Sequence, residues 1–156
     1  MVPERIRALE RGFTLAELLV VIVMIGVLSV LAAPSLISYW QASSVQAGAE
    51  ELATAVNRGR QLAISRNTTV CVQVSSGSIT LRTGSCGGTL FTGAGTTSAG
   101  LIPLTSGMQA SFASGTSVVF TNLGAASTAA TLRVTHPTTG KTRDVVVSAS
   151  GQVRVQ

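Results

Sequence analysis

The feature that most constrains this chain is a junction near its start, where a short basic leader meets a long apolar run. The leader ends at Gly12, and residues 13–37 are apolar except for Thr14, Glu17, Ser29 and Ser35. At roughly 1.5 Å per residue, a helix of this length crosses a hydrocarbon core about 30 Å thick. Only a helix satisfies the backbone of a single span in lipid. The junction is therefore typical of a processing signal joined to a membrane helix.

The distribution of positive charge predicts the orientation of this helix. Basic residues lie before the run, and the next one after it is Arg58; those in the leader are Arg5, Arg7 and Arg11. The positive-inside rule then leaves the N-terminus in the cytoplasm and exports the remainder. Tyr39 and Trp40 suit the far membrane interface, where amphipathic rings collect. Packing of these two rings against an exported domain is the alternative.

The residues at the junction resemble the class III signal of type IV pilins and type II secretion pseudopilins; the matching positions are Gly12, Phe13, Thr14, Leu15 and Glu17. The resemblance implies that a membrane-embedded prepilin peptidase cuts after Gly12 and methylates the new N-terminal Phe13. An ordinary secretory signal, with its cut after Ala32-Ala33, is the alternative and would remove the apolar run. In the pilin-like pattern the run stays on the mature protein.

Glu17 and Pro34 are the two anomalies within the apolar run. Placing an unpaired carboxylate in a membrane costs roughly a few kcal/mol of free energy. Cleavage would create an α-amino group on Phe13, which lies on the same helix face as Glu17. The resemblance implies pairing with a neighbouring subunit during filament assembly, and an interfacial glutamate is the alternative. Pro34 removes a hydrogen bond to Val30, which predicts a kink or local melting.

The exported part is long enough for one small β-rich domain. Of the 156 residues, about 115 follow the anchor, enough for a core of their own. A low content of charged residues, 11% of the chain, together with many Thr and Val residues predicts strands. Cys71 and Cys86 would close a loop of about 15 residues, for which the chain-entropy model gives around 3 kcal/mol; reduced thiols are the alternative. His136 is the lone histidine, and no metal site is expected.

Apolar periodicity predicts that the helix continues beyond the membrane and then gives way to strands. A stripe of small apolar residues predicts an amphipathic helix that ends near Ser65-Arg66-Asn67, with Asn67 as a left-handed cap. The stripe is Val45, Ala49, Leu52, Val56, Gly59 and Ala63, flanked by Ala55 and Leu62. Strands are predicted at 69–74, 78–82, 109–113, 117–120, 131–136, 141–148 and 152–156, with a weaker one at 101–104. Residues 83–100 are predicted to form a long loop with room for one short strand.

Together these patterns predict an α+β fold, with a long N-terminal helix packed on a small antiparallel β-sandwich head. The predicted divisions are a prepilin leader (1–12), a transmembrane helix (13–38), an amphipathic helix (39–67) and a β-rich periplasmic head (68–156). Residues 63–67 and 150–155 resemble the GspH/FimT group of minor pilins and pseudopilins. The resemblance implies a subunit of a type IV pilus or type II secretion pseudopilus, anchored in the bacterial inner membrane among other pilins, with no cofactor.

A DNA-binding variant of this function is one of two alternatives. Some FimT-like members bind DNA in natural transformation through a C-terminal Gly-Arg-x-Arg motif. Residues 151–154 keep Gly151 and Arg154 but place Gln152 where the first arginine would stand. Lys141 and Arg143 would compensate if they lay beside Arg154, giving contacts to double-stranded DNA without base specificity. The other alternative is a GspH-like pseudopilin of type II secretion that binds no DNA.

An enzyme is the poorest interpretation of the sequence. It offers no paired-carboxylate site, no phosphate-binding loop and no cysteine–histidine arrangement with a supporting context. The glycine pair Gly93 and Gly95 lacks the lysine that a phosphate loop requires. The chain has a net charge of +5, and the exported part is basic. Such a surface is either simply hydrated by solvent or binds a polyanionic partner.

Overall fold

A computed structural model describes residues 12–75, 77–104 and 107–156. The leader arginines and Ser76 of the expected first hairpin turn lie outside the described residues. The chain divides into two compact units, with the boundary between Ser38 and Tyr39. One α-helix, α1, spans Leu15–Ser65 and contributes to both units.

In the first unit, every described residue is exposed. The helix contains Pro34 and continues through it without a break. Two serine hydroxyl groups near Pro34 donate hydrogen bonds to backbone carbonyls of the helix. Ser35 Oγ donates to Ala32 O at 2.8 Å, and Ser38 Oγ donates to Ser35 O at 2.8 Å. The kink or local melting expected at Pro34 stays a prediction.

In the second unit, α1 buries one face. All six residues of the predicted stripe are buried, together with Gly48 and Ala55. Glu50 and Gln61, on the opposite side, are exposed. Because the stripe contains alanine and glycine, strands approach the helix axis closely. A Cβ built on Gly59 would lie 2.7 Å from Cγ2 of Val72 and 3.2 Å from Cδ2 of Leu81.

The helix ends as the sequence predicts. Asn67 adopts a left-handed conformation with φ 48°. Its N–H bonds to Ile64 O at 3.2 Å, and the N–H of Thr68 bonds to Ala63 O at 3.1 Å. This pair of bonds is the Schellman motif, which satisfies carbonyls that the last turn would leave without partners. Asn67 Oδ1 also accepts a hydrogen bond from Asn122 Nδ2 at 2.9 Å, which ties the helix end to a loop.

Nine strands follow the helix and form two antiparallel sheets. The first sheet contains five strands and the second contains four. In chain order they are β1 (Val70–Ser75), β2 (Ser78–Thr83), β3 (Thr89–Leu90), β4 (Leu101–Pro103), β5 (Gln109–Ser114), β6 (Val118–Phe120), β7 (Ala130–Thr135), β8 (Thr142–Val147) and β9 (Val153–Val155). The predicted α+β class, with a helix packed on antiparallel sheets, is confirmed.

The first sheet is built around the β1–β2 hairpin. β6 pairs with the free side of β1, while β3 and β4 pair with different parts of β2. β4 places Pro103 opposite Ser78 at the sheet edge, where a missing N–H is tolerated. β3 is a short strand within the segment predicted to be a long loop.

The second sheet has the order β5-β7-β8-β9. β7 and β8 form the predicted hairpin, whose turn contains Gly140 with φ 67°. A one-residue shift in register interrupts the pairing of β5 with β7 between Phe112 and Ser114. The core lies between α1 and the inner faces of the two sheets, and its largest fully buried side chains include Phe120, Leu52 and Leu132.

Candidate functional sites

The predicted cleavage junction lies at the start of α1. Gly12 is exposed, and 82% of the Phe13 surface is accessible. Thr14 Oγ1 accepts a hydrogen bond from the N–H of Glu17 at 3.2 Å, so Thr14 is the N-cap of the helix. A threonine followed three residues later by a glutamate is the capping-box pattern. Sequence reasoning considered Glu17 only as an anchor carboxylate and missed that its N–H takes part in the helix cap.

The position of Glu17 at the start of the helix also affects the energy of its negative charge. The side chain lies in the first turn of α1, where the positive end of the helix dipole stabilises a negative charge. The same field disfavours a new cation at the N-terminus. A free amine on Phe13 would therefore gain from a nearby carboxylate, and Glu17 is the acidic residue in the first turn of the helix.

The remainder of the first unit has the properties of a membrane anchor. Judged by length and composition alone, α1 contains a segment long and apolar enough to cross a membrane. Its large side chains are all accessible, for example Ile22 at 60% and Leu28 at 65%. Such a continuous apolar surface needs lipid or other apolar helices around it.

The predicted disulfide between Cys71 and Cys86 is present, with 5.0 Å between the two Cα atoms. Cys71 lies on β1, directly opposite Arg82 and Val119. The bridge ties the segment after β2 back to β1, because Cys86 follows β2 in the chain. Thr69 Oγ1 bonds to Gly84 O at the same end of the hairpin. The cysteines therefore act in the structure of the first sheet.

The three basic residues proposed to contact DNA do not form one cluster. Lys141, Arg143 and Arg154 are all exposed. On β8, the alternate residues Arg143, Val145 and Val147 share one face, and the two valines are buried in the core. Arg154 lies opposite Val146 and therefore points to the other face of the sheet. The compensation expected from Lys141 and Arg143 beside Arg154 is not observed, because the β8–β9 register separates them.

Lys141 and Arg143 instead line one groove with the helix. A surface groove of about 320 Å³ is bounded by Ala42 and Val45 of α1 and by residues 141–143. The opposite, outward face of the sheet carries Arg133 and Asp144. Their side chains make a two-point pair, with Nε to Oδ1 at 2.7 Å and Nη2 to Oδ2 at 2.8 Å. Hydrogen bonding from Arg133 lowers the pKa of Asp144, and the same bond raises the pKa of Arg133.

A second basic feature, which sequence reasoning missed, surrounds Phe91. The guanidinium carbons of Arg58 and Arg66 lie 5.8 Å and 4.9 Å from the centre of its ring. Arg58 lies in the last turns of α1, Arg66 directly follows the helix, and Phe91 follows β3. Cation–π contacts of this kind hold the 84–100 segment against the helix. No local sequence signal pairs residues so far apart, because the contact depends on how β3 joins the first sheet.

Within the described part of the chain, no group of three or more His, Cys, Asp or Glu side chains could hold a metal ion. His136 has a structural environment. Its Nδ1 accepts hydrogen bonds from the N–H groups of Thr138 and Thr139, at 3.2 Å and 3.3 Å, within the β7–β8 turn.

Two family models match the chain. Residues 48–151 match the model described as type II transport protein GspH, and residues 7–33 match the prokaryotic N-terminal methylation motif. The two matches cover the head with most of its helix, and the junction with the anchor. No curated protein matches at a significant level.

Solved structures share the fold at low sequence identity. The type IV minor pilin FimU of Pseudomonas aeruginosa has a TM-score of 0.54 and 18% identity, covering 71% of this chain and 91% of that one. The minor pseudopilin EpsH of the Vibrio cholerae type 2 secretion system has a TM-score of 0.57 and 16% identity, covering 72% of this chain and 96% of that one. At these identities the likeness concerns the fold alone.

Proposed function

This chain belongs to the GspH family, and we propose that it is a minor pilin or pseudopilin, a structural subunit of a type IV pilus or of a type II secretion pseudopilus. The observation that carries the proposal is the joining of two parts in one chain. Residues 7–33 match the methylation motif, and residues 48–151 match the family head. The apolar part of α1 in the first unit is exposed throughout. It needs apolar partners, which a membrane supplies before assembly and neighbouring subunits supply afterwards.

The proposal includes a defined maturation. The prepilin peptidase removes residues 1–12 and methylates the amine of Phe13, and the protein stays in the inner membrane with its head in the periplasm. Glu17 then pairs with the new amine of a neighbouring subunit, which sets the register of the filament. Burial among helices strengthens such a pair, because few waters compete for the charges. Pro34 lies within this helix as a site where it can bend or extend during assembly.

Mass spectrometry of the protein from its native host tests the maturation. The expected mass is that of residues 13–156 with one added methyl group and one disulfide. An intact N-terminus, or a chain that starts after Ala33, would exclude the proposal.

Assembly is tested separately with Glu17→Gln, which keeps the size of the side chain and removes its charge. The variant should be processed normally and reach the membrane, yet co-purify with filament subunits at least tenfold less than the parent chain. Glu50→Gln is the matched control, because Glu50 is an exposed glutamate on the same helix. Equal recovery of the two variants would show that the Glu17 carboxylate has no role in assembly.

Between the two finer alternatives, the arrangement of the basic residues supports a subunit without a DNA-receptor function. A single phosphate track needs its cations along one surface, whereas Arg143 and Arg154 belong to opposite faces of the second sheet. Binding to double-stranded DNA at low and high salt tests this alternative. Salt-sensitive binding that is lost in the double variant Arg143→Ala and Arg154→Ala would instead establish the DNA-binding function.

A further inference from the structure

Leu123 is the most exposed of the large apolar side chains described in the second unit, with 85% of its surface accessible. It lies in the turn between β6 and β7. The N–H of Gly124 donates to Thr121 O at 2.8 Å, and the N–H of Thr121 donates to Ala125 O at 2.8 Å, so the two ends of the turn are tied together. Leu123 is therefore carried at the tip of a closed turn.

This turn is fixed to the rest of the second unit. Asn122 Nδ2 donates to Asn67 Oδ1 at 2.9 Å. Gly124 is buried against α1, since a Cβ built there would lie 2.8 Å from Ile64 Cδ1 and 3.0 Å from Arg60 Nε. Single exposed apolar side chains are ordinary on protein surfaces, but a side chain on an ordered turn loses little conformational entropy when a partner covers it. The turn is therefore a preformed apolar projection.

An apolar recess lies elsewhere on the same unit. It has a volume of about 320 Å³, and the surface that it presents is mostly apolar. The residues that line it are Glu51, Thr54, Ala55, Arg58 and Ile102. The guanidinium carbon of Arg58 lies 5.8 Å from the centre of the Phe91 ring, which directs the charge of this arginine towards the 84–100 segment. The recess is large enough for a leucine side chain, whose burial is favoured by the hydrophobic effect.

The projection and the recess lie on opposite flanks of α1. Gly59 is buried against the first sheet, and successive residues of a helix are turned by about 100°. Arg58 and Arg60 therefore point to opposite sides of Gly59. Arg58 lines the recess, whereas Arg60 lies beside the turn that carries Leu123. Because the helix separates the two surfaces, the projection of one chain can enter only the recess of another molecule.

The two surfaces also differ in their position along the helix. The helix residues of the recess belong to 51–58, and those beside the turn belong to 60–64. At 1.5 Å rise per residue, the centres of these segments are about 11 Å apart. When two copies hold α1 parallel, a projection in a recess shifts one copy along the helix relative to the other. A contact between different surfaces that includes such a shift repeats without closing into a ring.

From these observations we propose that Leu123 of one copy inserts into the recess beside Ala55 and Ile102 of a second copy. The proposal rests on the proposed function, because a filament keeps the helices of its subunits parallel. It adds a specific contact between heads to the contacts that the apolar helices make. The occupant is a second copy because this chain carries both matching apolar surfaces. Their opposite placement lets each copy give one contact and receive another.

Disulfide cross-linking of the full chain in membranes tests the contact. One tagged chain carries Leu123→Cys, and a second, differently tagged chain carries Thr54→Cys, an exposed position at the recess. A mild oxidant should give a mixed dimer when both chains are present and little dimer with either alone. A chain with both substitutions should give a ladder of dimers, trimers and higher forms.

Gln61→Cys replaces Thr54→Cys in the control, because Gln61 is exposed on α1 and does not line the recess. Its yield of mixed dimer should be about tenfold lower, since a disulfide needs two Cα atoms within about 7 Å of each other.

A second variant measures how much the leucine contributes. Leu123→Ser should lower the co-purification of two differently tagged full chains about tenfold, as expected from the loss of one buried leucine side chain. Ala129→Ser, at an exposed position in the same connection between β6 and β7, should co-purify like the parent. Leu123→Ser should unfold at the midpoint of the parent, because the side chain that it removes is 85% exposed.

Several results would overturn the proposal. Dimers of Leu123→Cys alone would indicate a symmetric contact between two projections. Equal yields with Thr54→Cys and Gln61→Cys would show that the recess is not the binding surface. Cross-linking of Leu123→Cys to a different filament subunit, without the mixed dimer, would assign the projection to another protein.

Failure of this contact and failure of the proposed function are distinguishable. A chain that is processed after Gly12 and co-purifies with filament subunits, yet forms no mixed dimer, would exclude the contact and leave the proposed function intact. An unprocessed N-terminus would exclude the proposed function, and with it the filament that the contact requires.

Discussion

At the scale of single residues, this fold depends on places where a small or unusual side chain is required. Gly59 lies where α1 meets the first sheet, and a Cβ there would come within 2.7 Å of Val72. Alanine normally stabilises a helix interior relative to glycine by roughly 0.5–1 kcal/mol. Here the packing term opposes the helix propensity, because the valine side chain is stiff and lies in a paired strand.

Gly59→Ala should therefore destabilise the head in spite of its better helix propensity. Overpacking of a close-packed core typically costs about 1–3 kcal/mol, which exceeds the gain in propensity. The midpoint of thermal unfolding, followed by circular dichroism, should fall by about 4 °C or more. Gly87→Ala is the control, because nothing lies within 4 Å of a Cβ built there. A higher midpoint for Gly59→Ala would show that the sheet moves away without cost.

Asp144 gives the head a pH-dependent contribution to stability. Its pKa is lowered in the folded state, first by the hydrogen bond from Arg133. A lowered pKa means that the unfolded state binds protons more readily, so the contribution is present above the ordinary aspartate pKa, near 4. It is lost as the pH falls through the folded-state value.

Acid titration of the unfolding midpoint should therefore distinguish Asp144→Asn from the parent. Between pH 6 and pH 2 the parent midpoint should fall more steeply than that of the variant, and high salt should reduce the difference because the pair is partly exposed. The two curves should converge at the acidic end. Parallel curves would mean that the pair does not persist in solution. Arg143→Gln, on the other face of β8, should leave the acid slope unchanged.

At the scale of secondary-structure elements, local signals account for most boundaries. The small-residue stripe of α1, the cap at Asn67 and the β1–β2 and β7–β8 hairpins follow from periodicity and turn chemistry, and all are present. β3 was the least predictable strand. Its two residues pair with β2 only because the preceding turn returns the chain to that edge, and the disulfide holds this turn.

Removal of the disulfide should weaken this element in particular. The double variant Cys71→Ala and Cys86→Ala opens a loop with a sequence separation of 15 residues, for which the chain-entropy model gives a loss of about 3 kcal/mol in the free energy of unfolding. Denaturant titration should show a lower midpoint with a similar slope. A reducing agent should produce the same shift in the parent and no shift in the double variant. An unchanged midpoint in both tests would contradict the structural role of the bridge.

At the scale of the whole molecule, the two units need different surroundings. The buried core begins at Val45, and residues 12–40 are exposed throughout. The head therefore has its own core, whereas the first unit needs apolar surroundings. This division suits the proposed subunit, whose anchor would lie in a bilayer while its head folds outside it.

A fragment of residues 39–156 should fold without the first unit. Its thermal unfolding should be cooperative, with a midpoint within about 3 °C of that of the full chain in the same detergent, because none of the described core residues is removed. Far-ultraviolet circular dichroism and differential scanning calorimetry provide the measurement. A fragment without a cooperative transition would show that the anchor contributes to the stability of the head.

The sequence by itself determined the features that depend on neighbours along the chain. These are the apolar anchor, the buried helix face, the helix end and the hairpins, because helical and strand periodicities and turn preferences act over a few residues. Only the tertiary structure decided that β5 and β6, adjacent in sequence, join different sheets. It also decided that Arg143 and Arg154 face opposite ways, because one residue of register reverses the side of a strand on which a side chain lies.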